Sequence, residues 1–287
     1  MKNKIKIIYE DNHLLVCEKP VNMPVQADSS GDEDLLSTVK AYIKEKYSKP
    51  GEVYLGLVHR LDRPVGGVMV FARTSKAAAR LTESFKNRKT KKRYAAIVSG
   101  SPCSSAELEC DLLRDEQNNI SRVVRPNTPG AKAASLEYVS TVTKNGFTLL
   151  DVLLHTGRHH QIRAQLAWSG CPIFGDQRYN RAARVGQQIA LYAYSLTIEH
   201  PTLRESMTFT CIPHGAKFDE FSDECAALAA GVRCAYIDNN LICVNKSSGI
   251  SCTVEDGGND TLEARLNSAF GKVYPCLLYT SDAADEL

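Results

Sequence analysis

The 287-residue sequence lacks an apolar run of the roughly 18 residues that a membrane-spanning helix needs. Its amino terminus is basic but has neither the apolar core nor the cleavage site of a signal peptide, which predicts a cytoplasmic protein. No two of its 10 cysteines have Cys-x-x-Cys spacing, so neither a zinc ribbon nor a thioredoxin motif is indicated. We expect the cysteines to pack as small, reduced apolar side chains.

Net charge is also small, with 35 Lys and Arg residues against 33 Asp and Glu residues. Any nucleic-acid binding must therefore come from local clusters of charge rather than from the whole chain. Hydrophobic residues make up 43% and charged residues 24% of the chain, values typical of a globular protein and not of a disordered or coiled-coil one. The length corresponds to about two domains.

The pattern of apolar residues predicts a mixed α+β fold. Helices are expected over about 34–46, 76–87 and 159–169. Strands are expected over 5–9, 14–17, 68–72, 94–98, 134–143 and 147–155, and within 189–212. Strands outnumber helices and are joined mostly by tight turns such as Asn145-Gly146, which favours a largely antiparallel sheet.

An internal repeat divides the chain. Residues 9–19 align without gaps on residues 236–246, with Tyr, Asp, Asn, Leu and Lys at matching places, and Asp34 matches Asp260 with one residue of slippage. The sequence predicts a complete domain over residues 1–221 and a linker over 222–231. The truncated start of a second copy is predicted over 232–275, and residues 276–287 resemble a translated sequencing adaptor. Chance similarity of two hairpins, and a natural polar tail, are the alternatives.

The first group of residues with chemical potential is His59-Arg-Leu-Asp-Arg63. A carboxylate between two arginines is held ionised, which suits a nucleophile or a base. The glycines that follow, Gly66 and Gly67, would let a bulky ligand approach the backbone. A surface loop in which Asp62 caps a turn is the alternative.

The second group is a run of cations without any anion, at Lys86, Arg88, Lys89, Lys91, Lys92 and Arg93. Such density suits a phosphate backbone, and the adjacent Tyr94 could stack on a base. The alternative is a solvated charge run beside a core tyrosine.

The third group, residues 154–163, lies where a strand meets a helix. Helix amino termini favour anions, and Arg158 and Arg163 offer rigid donor forks for carboxylate or phosphate. Three histidines here permit a metal site, but Gly157 interrupts the helix that would align them. No acidic or cysteine ligand lies nearby in sequence, so we expect no metal.

Taken in order, the motifs His59-Arg-Leu-Asp62, Lys92-Arg-Tyr94, residues 155–163 and Gly175-Asp-Gln-Arg-Tyr179 resemble the RluA-type RNA pseudouridine synthase family over about residues 5–218. The resemblance implies the pseudouridine synthase fold, a mixed, largely antiparallel sheet with flanking helices and a central RNA-binding cleft. It implies an isomerase that detaches uracil at N1 from specific uridines of ribosomal or transfer RNA and rejoins it through C5. It implies no cofactor, no metal, no membrane and no obligatory protein partner.

The resemblance also implies roles for individual residues. Asp62 would be the essential aspartate, Tyr94 the aromatic beneath the target base, and Arg163 the partner of the aspartate. RNA contacts would come from Arg60, Arg63, Lys89, Lys91, Lys92, Arg93, Arg158 and His160.

Two other function classes remain open at this point. A catalytically dead RNA-binding module would usually have lost Asp62 or Tyr94, and both are present. A metal-dependent hydrolase would use the histidines and Asp176.

Overall fold

The structure is a computed structural model that describes residues 5–238, 240–246, 248–253 and 260–274. Within these ranges no helix combines the length and the apolar character of a membrane span. The adaptor-like segment predicted at 276–287, and the end of the predicted second copy, lie outside the described residues.

The main sheet has 11 strands. They are β1 (Lys6–Glu10), β2 (Leu14–Lys19), β3 (Gly56–Leu57), β4 (Gly66–Ala72), β5 (Lys91–Ser99), β6 (Ser105–Asp115), β7 (Ile120–Val124), β8 (Lys132–Lys144), β9 (Phe147–Leu154), β10 (Leu191–Glu199) and β11 (Ser206–Thr210). The strand order is β1-β2-β4-β10-β5-β9-β8-β6-β7, with β3 on β4 and β11 on β10. Only the β4–β10 pair is parallel among the described strands, which confirms the expected largely antiparallel sheet.

Helices cover the sheet, and a second, two-stranded sheet follows it. The helices are α1 (Leu35–Lys46), α2 (Ser75–Lys86), α3 (Gln161–Trp168), α4 (Ser222–Ala229) and α5 (Leu262–Phe270), with a 3-10 helix at Ala216–Phe221. The small sheet pairs β12 (Arg233–Ile237) with β13 (Ile242–Asn245). The mixed α+β class predicted from the sequence is therefore confirmed.

Local sequence explains where several elements begin and turn. The side chain of Asp34 accepts from Ser37 N at 2.9 Å and that of Thr74 from Ala77 N at 3.2 Å, so each caps the helix that follows it. Asn145 and Gly146 have φ values of 51° and 77°, the left-handed conformations that a two-residue hairpin turn requires.

Strands β2 and β4 are buried on both faces because cores form on either side of them. Leu14 and Val16 enter one core, while Leu15 and Cys17 point to the other face and pack with α1. This alternation follows from the two-residue period of a strand. The central strands therefore provide a rigid base for the loops at their ends.

The two halves of the main sheet meet through a short contact between β4 and β10. The pairing involves Gly66 with Tyr192 and Gly67 with Ala193. A Cβ atom at Gly67, where φ is 128°, would lie 2.2 Å from the Ala193 carbonyl oxygen. From the sequence, these glycines were expected to let a ligand approach the backbone. In the structure they instead allow the close approach of strand β10.

Two segments differ from the sequence prediction. The expected linker at 222–231 instead forms α4, because Cys225 and Leu228 are buried in the main core beside Phe221. The hairpin of β6 and β7 was not predicted. Strand β6 alternates polar and apolar residues from Ser105 to Leu112, the period-two pattern of a half-buried strand, so the signal was present in the sequence and was missed.

The repeated sequences form hairpins with the same register. Lys6 pairs with Glu18 and Ile7 with Cys17, before an irregularity that precedes Tyr9. At the matching places, Arg233 pairs with Asn245 and Cys234 with Val244, before the same irregularity at Tyr236. Both copies thus adopt one local conformation.

The match continues into the next helix and corrects the alignment made from the sequence. Leu35 N donates to Pro24 O at 2.9 Å as α1 begins, and Leu262 N donates to Ser251 O at 2.9 Å as α5 begins. Thr261 caps α5 as Asp34 caps α1. Asp34 therefore corresponds to Thr261, and the two copies align here without the one-residue shift that pairing Asp34 with Asp260 required.

Candidate active site

A cleft of about 1690 Å³ opens between the loop before β4, strand β5, the β9–α3 junction and the segment after Gly175. This volume exceeds the roughly 300–1,000 Å³ of a typical small-molecule pocket. Asp62, Tyr94 and Arg163, which are far apart in sequence, all line it. The cleft is large enough for a nucleotide together with its neighbours.

The loop that carries Asp62 is fastened to the sheet by a histidine. His59 stacks on Phe85 with ring centroids 4.8 Å apart, and its Nε2 accepts from Val70 N at 3.1 Å. Burial, together with the nearby Lys92 charge, lowers the pKa of His59 to about 3. This histidine is therefore neutral and acts as a hydrogen-bond acceptor that anchors the loop to β4.

Arg163 is held between two carboxylates. Its Nε and Nη2 donate to the two oxygens of Asp176 at 2.8 and 2.7 Å, while Nη1 lies 3.3 Å from Asp62 Oδ2. Asp176 is 1% exposed and Arg163 5% exposed. Burial opposes the charge of Arg163, but the hydrogen bonds and charge of Asp176 outweigh burial and raise its pKa. The guanidinium is thus fixed by Asp176 and presented to Asp62.

Sequence reasoning did not assign Asp176 this role and considered it only as a ligand of a possible metal. The described part of the chain contains no group of three or more His, Cys, Asp or Glu side chains that could hold a metal ion. The signal for Asp176 was present, because it lies in the same Gly175–Tyr179 motif that supported the family resemblance.

His160 is the second neighbour of the Asp62 carboxylate. Its Nε2 lies 3.5 Å from Asp62 Oδ2, and its ring stacks on His159 at 3.8 Å. Burial lowers the pKa of His160 to about 4, although the Asp62 charge acts in the opposite direction. This imidazole is neutral near pH 7.

Strand β5 divides the predicted basic cluster between two faces. Tyr94 is half-buried and lines the cleft together with Lys92, two residues earlier on the same face. Arg93 points the other way, forms an ion pair with Asp151, and donates to Tyr194 OH at 2.9 Å. Burial and the Asp62 charge raise the pKa of Tyr94, so its hydroxyl remains protonated.

The predicted RNA-contacting residues are only partly brought together. Those that line the cleft are Arg60, Arg63, Lys92, Arg158 and His160, while Lys89, Lys91 and Arg93 do not line it. Lys86 and Arg88, which belong to the basic run, also line the cleft. So do Arg114, Lys132 and Arg178, which the sequence analysis did not identify. Arg114 and Lys132 lie on β6 and β8, and the β6–β7 hairpin was not recognised in the sequence.

A sequence model of the RNA pseudouridylate synthase family matches residues 13–168. The chain is 31% identical over 216 residues to the ribosomal large subunit pseudouridine synthase D of Zymomonas mobilis, covering 71% of this chain and 68% of that protein. It is 34% identical over 220 residues to an uncharacterized RNA pseudouridine synthase of Aquifex aeolicus, with the same coverage of 71% and 68%. These matches confirm the family resemblance that the motifs indicated.

Solved structures agree at the level of the fold. The human RNA pseudouridylate synthase domain containing 4 superposes with a TM-score of 0.63 and 25% identity, covering 77% of this chain and 92% of that chain. The human RNA pseudouridylate synthase domain containing 1 has a TM-score of 0.57 and 19% identity, covering 78% and 95%. The predicted pseudouridine synthase fold is therefore confirmed.

Proposed function

The chain belongs to the RNA pseudouridylate synthase family, isomerases that convert uridine in RNA to pseudouridine, and we propose that Asp62 is its catalytic carboxylate. The observation that carries this proposal is the environment of Asp62. Its side chain is partly exposed in the cleft while its Oδ2 faces the buried Arg163 and His160. A carboxylate that faces a buried guanidinium at the wall of an RNA-sized cleft suits a group that must attack or accept a proton.

The reaction is an internal exchange. The bond from ribose C1′ to N1 breaks, the base turns, a bond from C1′ to C5 forms, C5 loses a proton and N1 gains one. Atoms and electrons balance without an oxidant, reductant or co-reactant. Asp62 acts in this exchange on the ribose or on the base ring, and Arg163, whose Nη1 lies 3.3 Å from Oδ2, keeps it aimed.

The cleft would also have to hold a nucleotide removed from its stack. Flipping a base costs a few kcal/mol, which stacking on Tyr94 and phosphate contacts from the surrounding cations can offset. The contacts we propose are those of Arg60, Arg63, Lys92 and Arg158. We propose ribosomal RNA as the substrate, because the Zymomonas mobilis relative is named for the large ribosomal subunit. Transfer RNA is the alternative outcome.

The test is tritium release from RNA labelled at C5 of uridine, using ribosomal and transfer RNA that lack pseudouridine. We expect Asp62→Asn to lower turnover by roughly a thousandfold or more while RNA affinity stays within a few-fold, because the amide keeps the shape but loses the charge. The exposed Asp238, changed to Asn, serves as the control and should leave turnover unchanged. Retained turnover with lost RNA binding in Asp62→Asn would overturn the assignment.

We also propose that residues 232–275 are the truncated start of a second synthase-like copy. The shared hairpin register, the shared irregularity before Tyr9 and Tyr236, and the matching helix starts support it.

A further inference from the structure

The hydroxyl of Tyr179 lies between a backbone donor and an imidazole nitrogen. Ser121 N donates to this oxygen at 2.6 Å, and the oxygen lies 3.0 Å from His160 Nδ1. A phenol has one hydrogen, and among the described residues His160 Nδ1 is the atom within hydrogen-bond distance that can accept it, so we take Tyr179 as the donor. In that arrangement Nδ1 carries a lone pair, so the proton of the neutral ring lies on Nε2.

The other end of the imidazole leads to the same tautomer. Nε2 of His160 lies 3.5 Å from Asp62 Oδ2. A proton on Nε2 turns a donor toward the carboxylate, whereas the opposite tautomer would turn a lone pair toward it. The ring plane is also held, because the neighbouring His159 stacks on it and has its carbonyl tied to Ser121 Oγ at 2.7 Å.

We propose that Tyr179 is a positioning residue for the reaction: its hydroxyl holds His160 as the Nε2–H tautomer, which together with Arg163 aims the Asp62 carboxylate into the cleft. The inference rests on the proposed role of Asp62. It adds a function for the last residue of the Gly175–Tyr179 motif. It also assigns His160 a task other than the RNA contact expected from the sequence.

The first experiment measures the tautomer directly and does not depend on activity. Nitrogen-15 NMR of the full chain distinguishes protonated from bare imidazole nitrogens, and the spectrum of His160→Gln identifies the His160 signals. We expect a bare Nδ1 and a protonated Nε2 in the wild type, and a mixture of the two tautomers in Tyr179→Phe. If the His160 ring of the wild type is protonated on Nδ1, the inference is wrong, and this result does not depend on whether Asp62 is the catalytic carboxylate.

The second experiment measures turnover against pH. At about pH 8 we expect Tyr179→Phe to lower kcat about tenfold, the effect of one hydrogen bond in the transition state, with KM within about twofold. Without the tyrosine donor, His160 takes up a proton more easily, and the protonated ring again turns an N–H toward Asp62. The deficit should therefore shrink as the pH falls toward about 5.5. A deficit that is the same at every pH, or that lies in KM, would overturn the inference.

A double-mutant comparison separates this role from simple packing. The side-chain amide of Gln in His160→Gln can donate near the place of Nε2 and has no tautomers. We expect Tyr179→Phe to cost less than about twofold in that background, and a full tenfold loss there would contradict the inference. Tyr194→Phe is the matched control, because it also removes a buried hydroxyl, bonded to Asp151 at 2.8 Å outside the cleft. It should lower thermal stability without any pH-dependent loss of turnover.

Discussion

The hairpin of β1 and β2 and the hairpin of β12 and β13 share a turn but not an environment. Leu14 N donates to Asp11 Oδ1 at 2.6 Å, and Leu241 N donates to Asp238 Oδ1 at 2.8 Å. Leu14 is nevertheless 0% exposed and Leu241 54% exposed. This difference shows that the local sequence determines the turn and the register of a hairpin, whereas the burial of its side chains depends on elements that are distant in the chain.

The difference extends to a matched pair of lysines. Lys19 is completely buried, and its Nζ donates to Pro20 O at 2.8 Å and to Arg63 O at 3.0 Å. Lys246 is exposed, and its Nζ donates to Ile250 O at 2.8 Å. Strand β2 has β4 along its second edge, whereas β13 has no second strand among the residues described. Only the first hairpin is therefore connected to the loop that carries Asp62.

Amide hydrogen exchange should give the largest contrast between the hairpins. We expect amides of β2 to exchange only on global unfolding, and those of β13 to exchange faster by about a thousandfold or more, because few neighbours cover that strand. The measurement is exchange followed by NMR or by mass spectrometry of peptides. Equal protection in both hairpins would contradict the difference in burial between Leu14 and Leu241.

Substitution of the matched leucines should lower the free energy of unfolding by several kcal/mol more in the first hairpin than in the second. Leu14→Ala leaves a cavity in the main core, and we expect it to lower the free energy of unfolding by about 3–5 kcal/mol. Leu241→Ala removes a largely exposed side chain, and we expect a change within about 0.5 kcal/mol. Urea denaturation of both variants checks this, and similar losses would mean that the second hairpin is packed as tightly as the first.

The matched lysines Lys19 and Lys246 should differ in a smaller effect, their contribution to the pH dependence of the free energy of unfolding. Burial, only partly opposed by the Asp62 charge, lowers the pKa of Lys19 to about 7, against about 10.4 in an unfolded chain. Between these values the unfolded chain binds one more proton than the folded protein, so raising the pH stabilises the fold. Below about pH 7 both states are protonated at this position and the effect ends.

The measurement compares the free energy of unfolding of the wild type with that of Lys19→Met at pH values between about 7 and 10. The wild type should gain stability relative to the variant by at most about 1.4 kcal/mol per pH unit. Lys246→Met, at the exposed position, should keep the wild-type slope. Identical slopes for the wild type and Lys19→Met would show that Lys19 keeps its proton in the folded protein.

Most local elements could be predicted from the sequence, because their signals are local. The caps at Asp34 and Thr74 and the turn at Asn145 depend on residues within three or four positions. Strand β6 was also predictable, because polar and apolar residues alternate from Ser105 to Leu112, although the sequence prediction omitted it. Helix α4 could not be predicted, because it is ordered by burial of Cys225 in a core built from distant strands.

Residue types at the candidate site were predictable from the motifs, but their partners were not. Asp62 and Arg163 were paired by family resemblance, whereas the anchoring of Arg163 by Asp176 became visible only in the structure. The basic run before Tyr94 shows how far charge density alone can predict the contacts of individual side chains. Its charge density predicted phosphate contacts for the run as a whole, yet the alternation of β5 turns Lys92 to the cleft and Arg93 to Asp151.

The sequence by itself determined the conformations that depend on near neighbours, above all two hairpins with one register, and it determined the order of the motifs. Only the tertiary structure decided which hairpin is buried and which groups surround Asp62. Leu14 and Leu241 have the same chemistry and the same turn, but Leu14 lies in the main core with residues of β4 and α2, whereas Leu241 belongs to no hydrophobic cluster of the described residues. Burial and charge pairing depend on contacts between residues far apart in the chain, and no local pattern specifies those contacts.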